Sequence, residues 1–574
     1  MTLTPPRIDL NGLTRDTVKE ALLTQNYLPR QHDHKEELPP IFHSSLFTPA
    51  VADSLRTLRC RWREGYDLMP FKRTRHPNIP RVMAIPHPRA YVELVHAISE
   101  GWENILPFCE SPNSQLEFGL QSDGRMLVHA YNQVADDGVA EDQDPLSDFG
   151  MSYLLKTDIT SFYPSVYSHA LPWALVGHAI AKLPANRNAR NWYNNVDRGV
   201  RLCQRGETKG LPIGPGTSSI VAEALLSPVD AALRSKYRFT RYIDDYTVFL
   251  PDRKACDQFL LDLSRELERY ALSLNLRKTT VIELPVPRRE AWVTEISLLL
   301  GAPPEPEEVN TTQQGLDLRQ IRAILDRALE LSKDFPDGSV MKYALSALVD
   351  RFPKEPGLLA MDSAEERFIE DSLFRFSFFF PTIIPIIQRW LRHYPSSDPR
   401  VEDRVEARLL KLLDRSFELG QSDNIVWCLH YLLQLGRSGQ REIASRCIAS
   451  GDPIVVAMGH YYSKKMGMPL RRFRAWARAV AAKRRKGNIS DYDLDQFWMP
   501  LYQLYIDDLI PEVPYPDDEE RRVFRLLKDQ NVSFMDFAHD DFGSRGARLG
   551  HRLFGDVIIS PPEALPTPSD QGIS

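Results

Sequence analysis

Tyr242-Ile243-Asp244-Asp245 lies between two short runs rich in β-branched and aromatic residues, 237–243 and 246–250. The pattern predicts a strand, a tight turn and a returning strand, with two adjacent carboxylates at the tip. Two ionised carboxyls side by side repel each other unless a cation stands close, and Mg²⁺ is a hard ion that takes oxygen ligands. Asp is also a common turn former, so the tetrapeptide alone reads as a surface turn too. The surrounding sequence separates the two readings.

Upstream, a run at 153–157 predicts a strand that ends on Asp158 and is followed by Ile-Thr-Ser-Phe-Tyr-Pro-Ser. A carboxylate at the end of a buried strand is a candidate third ligand for metal held by the hairpin. In isolation it reads equally as the N-cap of the next helix. Gly210-Leu-Pro-Ile-Gly-Pro-Gly-Thr-Ser-Ser219 forms a glycine-rich turn feeding a helix over 220–233. Glycine lets backbone approach a ligand closely, and a helix N-terminus favours anionic groups. Beyond the hairpin come a helix over 253–270 and the segment Leu272-Ser-Leu-Asn-Leu-Arg-Lys278-Thr279. Lys278 is placed either to act on a leaving phosphate or simply as an exposed lysine.

Composition limits what surrounds this segment. With 574 residues, 43% of them hydrophobic, the chain is globular and long enough for two to four domains. A net charge of -6 means that any nucleic-acid partner is met by local basic patches. One such patch spans 56–89, where nine Lys and Arg, among them Lys72, Arg73, Arg75 and Arg81, face only Glu64 and Asp67. It suits triphosphate or a nucleic-acid backbone, or it is a solvated basic face. Six scattered cysteines without a Cys-x-x-Cys pair point to reduced thiols and a cytoplasmic location. No secretory signal is visible, and the most apolar stretch, 373–387, contains Arg375, Pro381 and Pro385 and is too short to span a bilayer. No membrane partner is expected.

Four segments in this order and at these intervals resemble the palm of a reverse transcriptase. Asp158-Ile-Thr-Ser-Phe-Tyr-Pro-Ser is similar to the first palm motif, Gly210-Leu-Pro-Ile-Gly to the second, Tyr242-Ile-Asp-Asp to the third, and Leu274-Asn-Leu-Arg-Lys278-Thr to the fourth. The resemblance implies Asp158, Asp244 and Asp245 as catalytic metal ligands, with Mg²⁺ as cofactor and Mn²⁺ as a substitute. It places Tyr163 at the steric gate that excludes a ribose 2′-hydroxyl. Gly214, Lys278 and the basic residues Lys72, Arg73, Arg75 and Arg81 become contacts to the deoxynucleoside triphosphate. Two divalent ions about 3.5–4 Å apart suit nucleotidyl transfer, since they activate a 3′-hydroxyl and stabilise departing pyrophosphate without a covalent intermediate.

Many reverse transcriptases have Gln where this chain has Ile213, so a polar contact near the nucleotide or template is missing. The Leu-Pro-Ile-Gly-Pro-Gly form and the Phe-Tyr-Pro-Ser-Val-Tyr-Ser-His run resemble the bacterial abortive-infection reverse transcriptases, the AbiK-like and P2-prophage-type group. That family implies untemplated DNA synthesis primed from a protein hydroxyl, a single-stranded DNA product attached through a tyrosine, homo-oligomers, and a helical-repeat domain in place of a thumb. The fold expected is α/β plus all-α: an N-terminal arm (1–50), fingers (51–149), palm (150–295), linker (296–314), HEAT-like helical domain (315–556) and disordered tail (557–574).

The second half supports the all-α part. Leu318, Ile321, Leu325, Ala328 and Leu331 make one helical stripe, and Val405, Leu409, Leu412 and Phe417 another that ends at Gly420. Residues 464–486 hold ten basic and no acidic side chains, interleaved with Phe473 and Trp476, which reads as a single-strand track, a solvated helix face or a subunit contact. Tyr505-Ile-Asp-Asp508 repeats the tetrapeptide at helical spacing with no carboxylate strand before it, and is read as a decoy. Three functions follow: protein-primed, untemplated DNA synthesis in phage defence; RNA-templated reverse transcription in a retroelement or retron; and a non-catalytic scaffold that senses nucleic acid or phage protein.

Overall fold

The computed structural model describes residues 13–29, 37–75, 78–120, 124–130, 148–186, 191–287, 290–301, 317–350, 364–392, 399–437 and 442–536. Most of the acidic loop expected before Asp158, most of the linker, and the C-terminal tail lie outside these residues. Eight strands are described: β1 (Met69–Arg73), β2 (Arg81–Ile85), β3 (Leu116–Leu120), β4 (Met126–Ala130), β5 (Tyr153–Asp158), β6 (Phe239–Tyr242), β7 (Asp245–Leu250) and β8 (Thr280–Glu283). The first four form two antiparallel hairpins, β1–β2 and β3–β4. The others build one antiparallel sheet in the order β6-β7-β5-β8.

Alternation fits this sheet. Tyr246, Val248 and Leu250 on β7 point into the core, while the residues between them are partly exposed. Helix Arg253–Glu268 starts on the Asp252 side chain, which accepts from the Ala255 N–H, and turns Cys256, Phe259, Leu263 and Leu267 inward at helical spacing against β5 and β7. Helix Gly216–Leu233 is buried along most of its length. The glycine-rich segment before it is tied to the β1–β2 hairpin, with the Ala84 N–H donating to the Ile213 carbonyl at 2.8 Å.

Two expected boundaries dissolve in the packing. The described part of the N-terminal arm is core: helix Arg15–Thr24 begins on a Thr14–Thr17 capping box, and Val18, Leu22, Tyr27, Ile41 and Phe42 are fully buried. It meets the far end of the chain, where Tyr27 and Phe47 pack on Phe534, Tyr27 also packs on Trp498, and the His43 N–H donates to the Phe534 carbonyl. The helical half is likewise not one body. Ile296 to Trp390 contributes a core of its own, which takes in the 296–300 part of the expected linker because helix Ala291–Leu300 runs through it. Residues of helices from Pro399 onward share one core with the elements between Leu13 and Leu272.

Buried polar contacts join these later helices to the segment around β1. Thr74 donates to the Asp423 carboxylate from its N–H at 2.8 Å and from its hydroxyl at 2.6 Å. Arg61 meets Asp495 at 2.6 Å and Glu520 at 3.3 Å, and Tyr515 donates to Asp495 at 2.8 Å. All six cysteines are free and buried. No helix among the described residues is long and apolar enough to cross a membrane. Breaking the Arg61 pair should unfasten the segment before β1 from these helices. Asp495→Ala, which leaves a nearly buried guanidinium without its closest partner, is expected to cost about 3 kcal/mol and to lower the midpoint of thermal unfolding by several degrees, read by calorimetry.

Candidate active site

The turn joining β6 to β7 consists of Ile243 and Asp244, with Tyr242 and Asp245 paired across it. Ile243 has φ +57°, a left-handed conformation that is uncommon for a β-branched residue. On the neighbouring strand Asp158 stands directly opposite Asp245. Facing residues on adjacent antiparallel strands project to the same side, so these two carboxylates share one face, with Asp244 at its end. Three acidic side chains from two separated segments thus meet at one edge of the sheet.

The electrostatics bear out this proximity. Asp244 is pushed up to about 6, chiefly by burial and next by the Asp245 and Asp158 carboxylates. Asp245 is raised by burial and then by Asp158. Asp158 is nearly buried, and its Oδ1 has no hydrogen-bond partner. Its Oδ2 receives the Lys278 ammonium at 2.5 Å. Among the described residues no three Asp, Glu, His or Cys side chains close into a ready metal cage. What is present suits a divalent cation nonetheless: mutually repelling carboxylates and an orphaned oxygen are relieved together when a hard cation is shared among them. Lys278, expected to face a leaving phosphate, instead supplies that positive charge itself.

The other expected residues divide. Tyr163 lies beside the turn, its hydroxyl driven upward by burial first and then by Asp244, with Arg81 opposing. Arg81 also acts on Tyr242, so it reaches the site. Arg73, opposite Arg81 in the hairpin, pairs with Glu37 at 2.7 Å. Arg75 is pressed down by burial and then by Arg81 and Arg73, so the three guanidinium groups crowd together. Lys72 departs from the group. Successive residues of a strand face opposite ways, and Lys72 turns towards Asp452 on the helical side. Gly214, at φ +135°, lies where a Cβ would come within 3.0 Å of Pro29 and 3.2 Å of the Ala84 carbonyl oxygen, so it allows the close approach of loop and hairpin.

Two sequence features fall elsewhere. Tyr505-Ile-Asp-Asp508 closes helix Trp498–Ile506, with Asp507 paired to Lys464 and Asp508 to Lys528, each at 2.6 Å. Helix Arg471–Arg485 buries Phe473 and Ala477 and exposes Arg471, Arg478, Lys483 and Arg485.

Residues 136–309 match the family described as "Reverse transcriptase (RNA-dependent DNA polymerase)". This segment is a reverse-transcriptase-type nucleotidyltransferase domain. It contains the whole β6-β7-β5-β8 sheet, all three aspartates and Lys278. No curated protein matched the chain. Among solved structures, apo telomerase from Candida tropicalis truncated from its C-terminal domain aligns at 14% identity over 40% of this chain and 51% of that one, with a TM-score of 0.26. The alignment thus spans about half the length of that telomerase chain. A second apo telomerase structure from the same organism aligns at 10% identity over 70% of this chain and 76% of that one, at a TM-score of 0.29. Telomerase from Candida albicans in complex with a fragment of telomeric RNA aligns at 13% identity over 73% and 67%, at 0.24. Scores this low define no common fold.

Sequence reasoning passed over the support of the domain's turn. Arg241, Glu223 and Asp230 are wholly buried behind it. A signal was available: the two acidic residues are the only charges in an otherwise apolar helix and stand seven apart, on one face. Two outcomes follow from the carboxylate cluster. Asp244 has a raised folded-state pKa, so its ionisation is disfavoured in the fold, and stability from this group falls as pH rises from the unfolded carboxylate range to about 6. A bound cation reverses that cost, so Mg²⁺ should raise the unfolding midpoint more at about pH 8 than at about pH 5, read by differential scanning fluorimetry. Lys278→Met removes the competing cation and should tighten Mn²⁺ binding several-fold in calorimetry.

Proposed function

We propose that the chain is a divalent-metal-dependent DNA polymerase that adds deoxynucleotides to a tyrosine hydroxyl of the protein without a template, in antiphage abortive infection. The observation that carries the polymerase reading is Asp158 facing Asp245 beside the Asp244 turn, with one buried Asp158 oxygen unpartnered. Asp158, Asp244 and Asp245 would hold Mg²⁺ or Mn²⁺. When bound, the cation supplies positive charge where a 3′-hydroxyl attacks and pyrophosphate departs.

This chain's own residues do the rest. Tyr163, packed beside Asp244, fills the space a ribose 2′-hydroxyl would need. Arg81, with Arg73 and Arg75 close by, is placed to receive the triphosphate, since crowded guanidinium groups gain most from an anion between them. Gly214 keeps the glycine-rich loop against the hairpin that carries these arginines. Lys278, which holds Asp158 Oδ2, would be free to meet a phosphate where a cation took its place on that carboxylate.

Untemplated, protein-primed synthesis rests on the Leu-Pro-Ile-Gly-Pro-Gly form of the loop. Ile213 is partly buried and packs against the core, so no polar group stands there for a template or nucleotide. A single-stranded DNA product, homo-oligomers, a cytoplasmic setting and HEAT-like helical pairs in place of a thumb belong to the same reading. Helices Pro399–Leu419 and Ser422–Gln434, joined by two residues and packed together, support the expectation of helical pairs. One observation favours RNA-templated synthesis instead: the matching family is described as an RNA-dependent polymerase.

The decisive assay incubates purified protein with labelled deoxynucleotides and Mg²⁺, without template or primer, and resolves the product before and after proteinase treatment. Label that moves with protein is expected, and Asp244→Ala should reduce it at least ~100-fold. A requirement for added RNA and primer would replace this reading with the templated one. Incorporation unchanged in Asp244→Ala would remove both. Tyr163→Ala is expected to lower discrimination against ribonucleotides at least ~10-fold in competition assays.

A further inference from the structure

Arg241 immediately precedes the catalytic tetrapeptide, yet its side chain points away from the carboxylates into the interior. Its side chain and those of Glu223 and Asp230 are all 0% exposed. A guanidinium carries five N–H donors, and here every one is used. Nε donates to the Asp230 carboxylate at 3.0 Å. One terminal nitrogen donates to Glu223 Oε1 at 2.8 Å and to the Ile243 carbonyl at 2.9 Å. The other donates to Glu223 Oε2 at 2.9 Å and to Asp230 Oδ2 at 2.7 Å. Ser111 also donates to Asp230, at 2.9 Å.

Burying one cation between two carboxylates is an expensive way to pack a helix on a sheet, because apolar side chains of similar volume do so at equal or lower cost. What apolar side chains lack is the hydrogen bond to Ile243. That residue is held at φ +57°, a conformation disfavoured for a β-branched side chain by roughly 1–2 kcal/mol. The backbone of Arg241 is fastened as well: its N–H donates to the Asn113 carbonyl at 2.7 Å, and its carbonyl accepts from the Gln115 N–H at 2.8 Å. The guanidinium therefore spans two halves of the site, the Ile243–Asp244 turn and the helix that follows the glycine-rich loop.

We infer that Arg241, clamped by Glu223 and Asp230, is a positioning residue that holds the Ile243 carbonyl and so aims the Asp244 carboxylate at the shared cation. This rests on the polymerase reading above. Arg241→Lys keeps the charge but cannot form the planar fork. It should weaken Mn²⁺ binding, measured by calorimetry as the binding lost in Asp244→Ala, by ~10–100-fold. kcat should fall with it, while KM for deoxynucleotide changes less than about threefold.

Glycine adopts positive φ without help, so Ile243→Gly in the Arg241→Lys background should recover a large part of the lost Mn²⁺ affinity. Asp495→Ala, a lesion in a separate buried ion network, should lower thermal stability and leave Mn²⁺ affinity unchanged. Should Arg241→Lys fail to fold, Glu223→Gln, with the same shape and no charge, takes its place with the same expected outcomes. Wild-type protein that binds no Mn²⁺ dependent on Asp244 would sink the polymerase reading. Wild-type binding with equal affinity in the folded variant, or no recovery with Ile243→Gly, would sink the positioning role alone.

Discussion

A guanidinium sealed between two carboxylates is the interaction on which the active edge of the sheet depends. The Arg241 side chain donates to the buried carboxylates of Glu223 and Asp230 on one helix and to the carbonyl of a strained, partly buried turn residue. In a low-dielectric interior such bonds are strong when complete and costly when broken, so the arrangement tolerates little drift. Tyr246, at 3.4 Å from Asp230, and Ser111 extend the same network to β7 and to the loop that passes the edge of β6. The sheet and the helix are locked by direction-specific contacts, whereas apolar packing alone would allow them to slide.

In front of that lock the charge balance is reversed. Three carboxylates crowd one face, and burial together with mutual repulsion raises Asp244 and Asp245. Lys278 offsets part of the excess through Asp158, and the arginines of the β1–β2 hairpin stand across the site, with Arg81 acting on both Tyr163 and Tyr242. A carboxylate cluster that Lys278 only partly offsets thus lies near a crowd of guanidinium groups, of which Arg73 is paired with Glu37 and Arg81 reaches the site. That division suits a ligand which brings both charges, such as a divalent cation bound to a triphosphate.

The hairpin that carries the arginines is held from outside the matched domain. Thr74, the residue after β1, bonds to Asp423, Arg61 upstream of the hairpin bonds to Asp495, and Tyr27, just past the first described helix, packs on Trp498 and Phe534. The helices from Pro399 onward therefore support the β1–β2 hairpin and the segment before it, while the helices contributing Ile296 to Trp390 keep a core apart.

The amino-acid sequence alone determined the elements whose signals are local. Alternating apolar residues around an Asp-Asp turn specified β6 and β7, a strand ending in a carboxylate specified β5, and Cys256, Phe259, Leu263 and Leu267 at helical spacing specified the helix behind them. Those signals marked Asp158, Asp244 and Asp245 as candidates, and it was the resemblance of four ordered segments to a reverse-transcriptase palm that joined them into one expected site. Tertiary structure alone decided what depends on distant segments meeting. It turned Lys72 from its basic neighbours, paired Lys278 with Asp158 across 120 residues, folded the described part of the N-terminal arm into the core and set Arg241 between Glu223 and Asp230. Periodicity and turn chemistry act over a few residues, whereas a buried ion's partner is fixed only when the whole chain has packed around it.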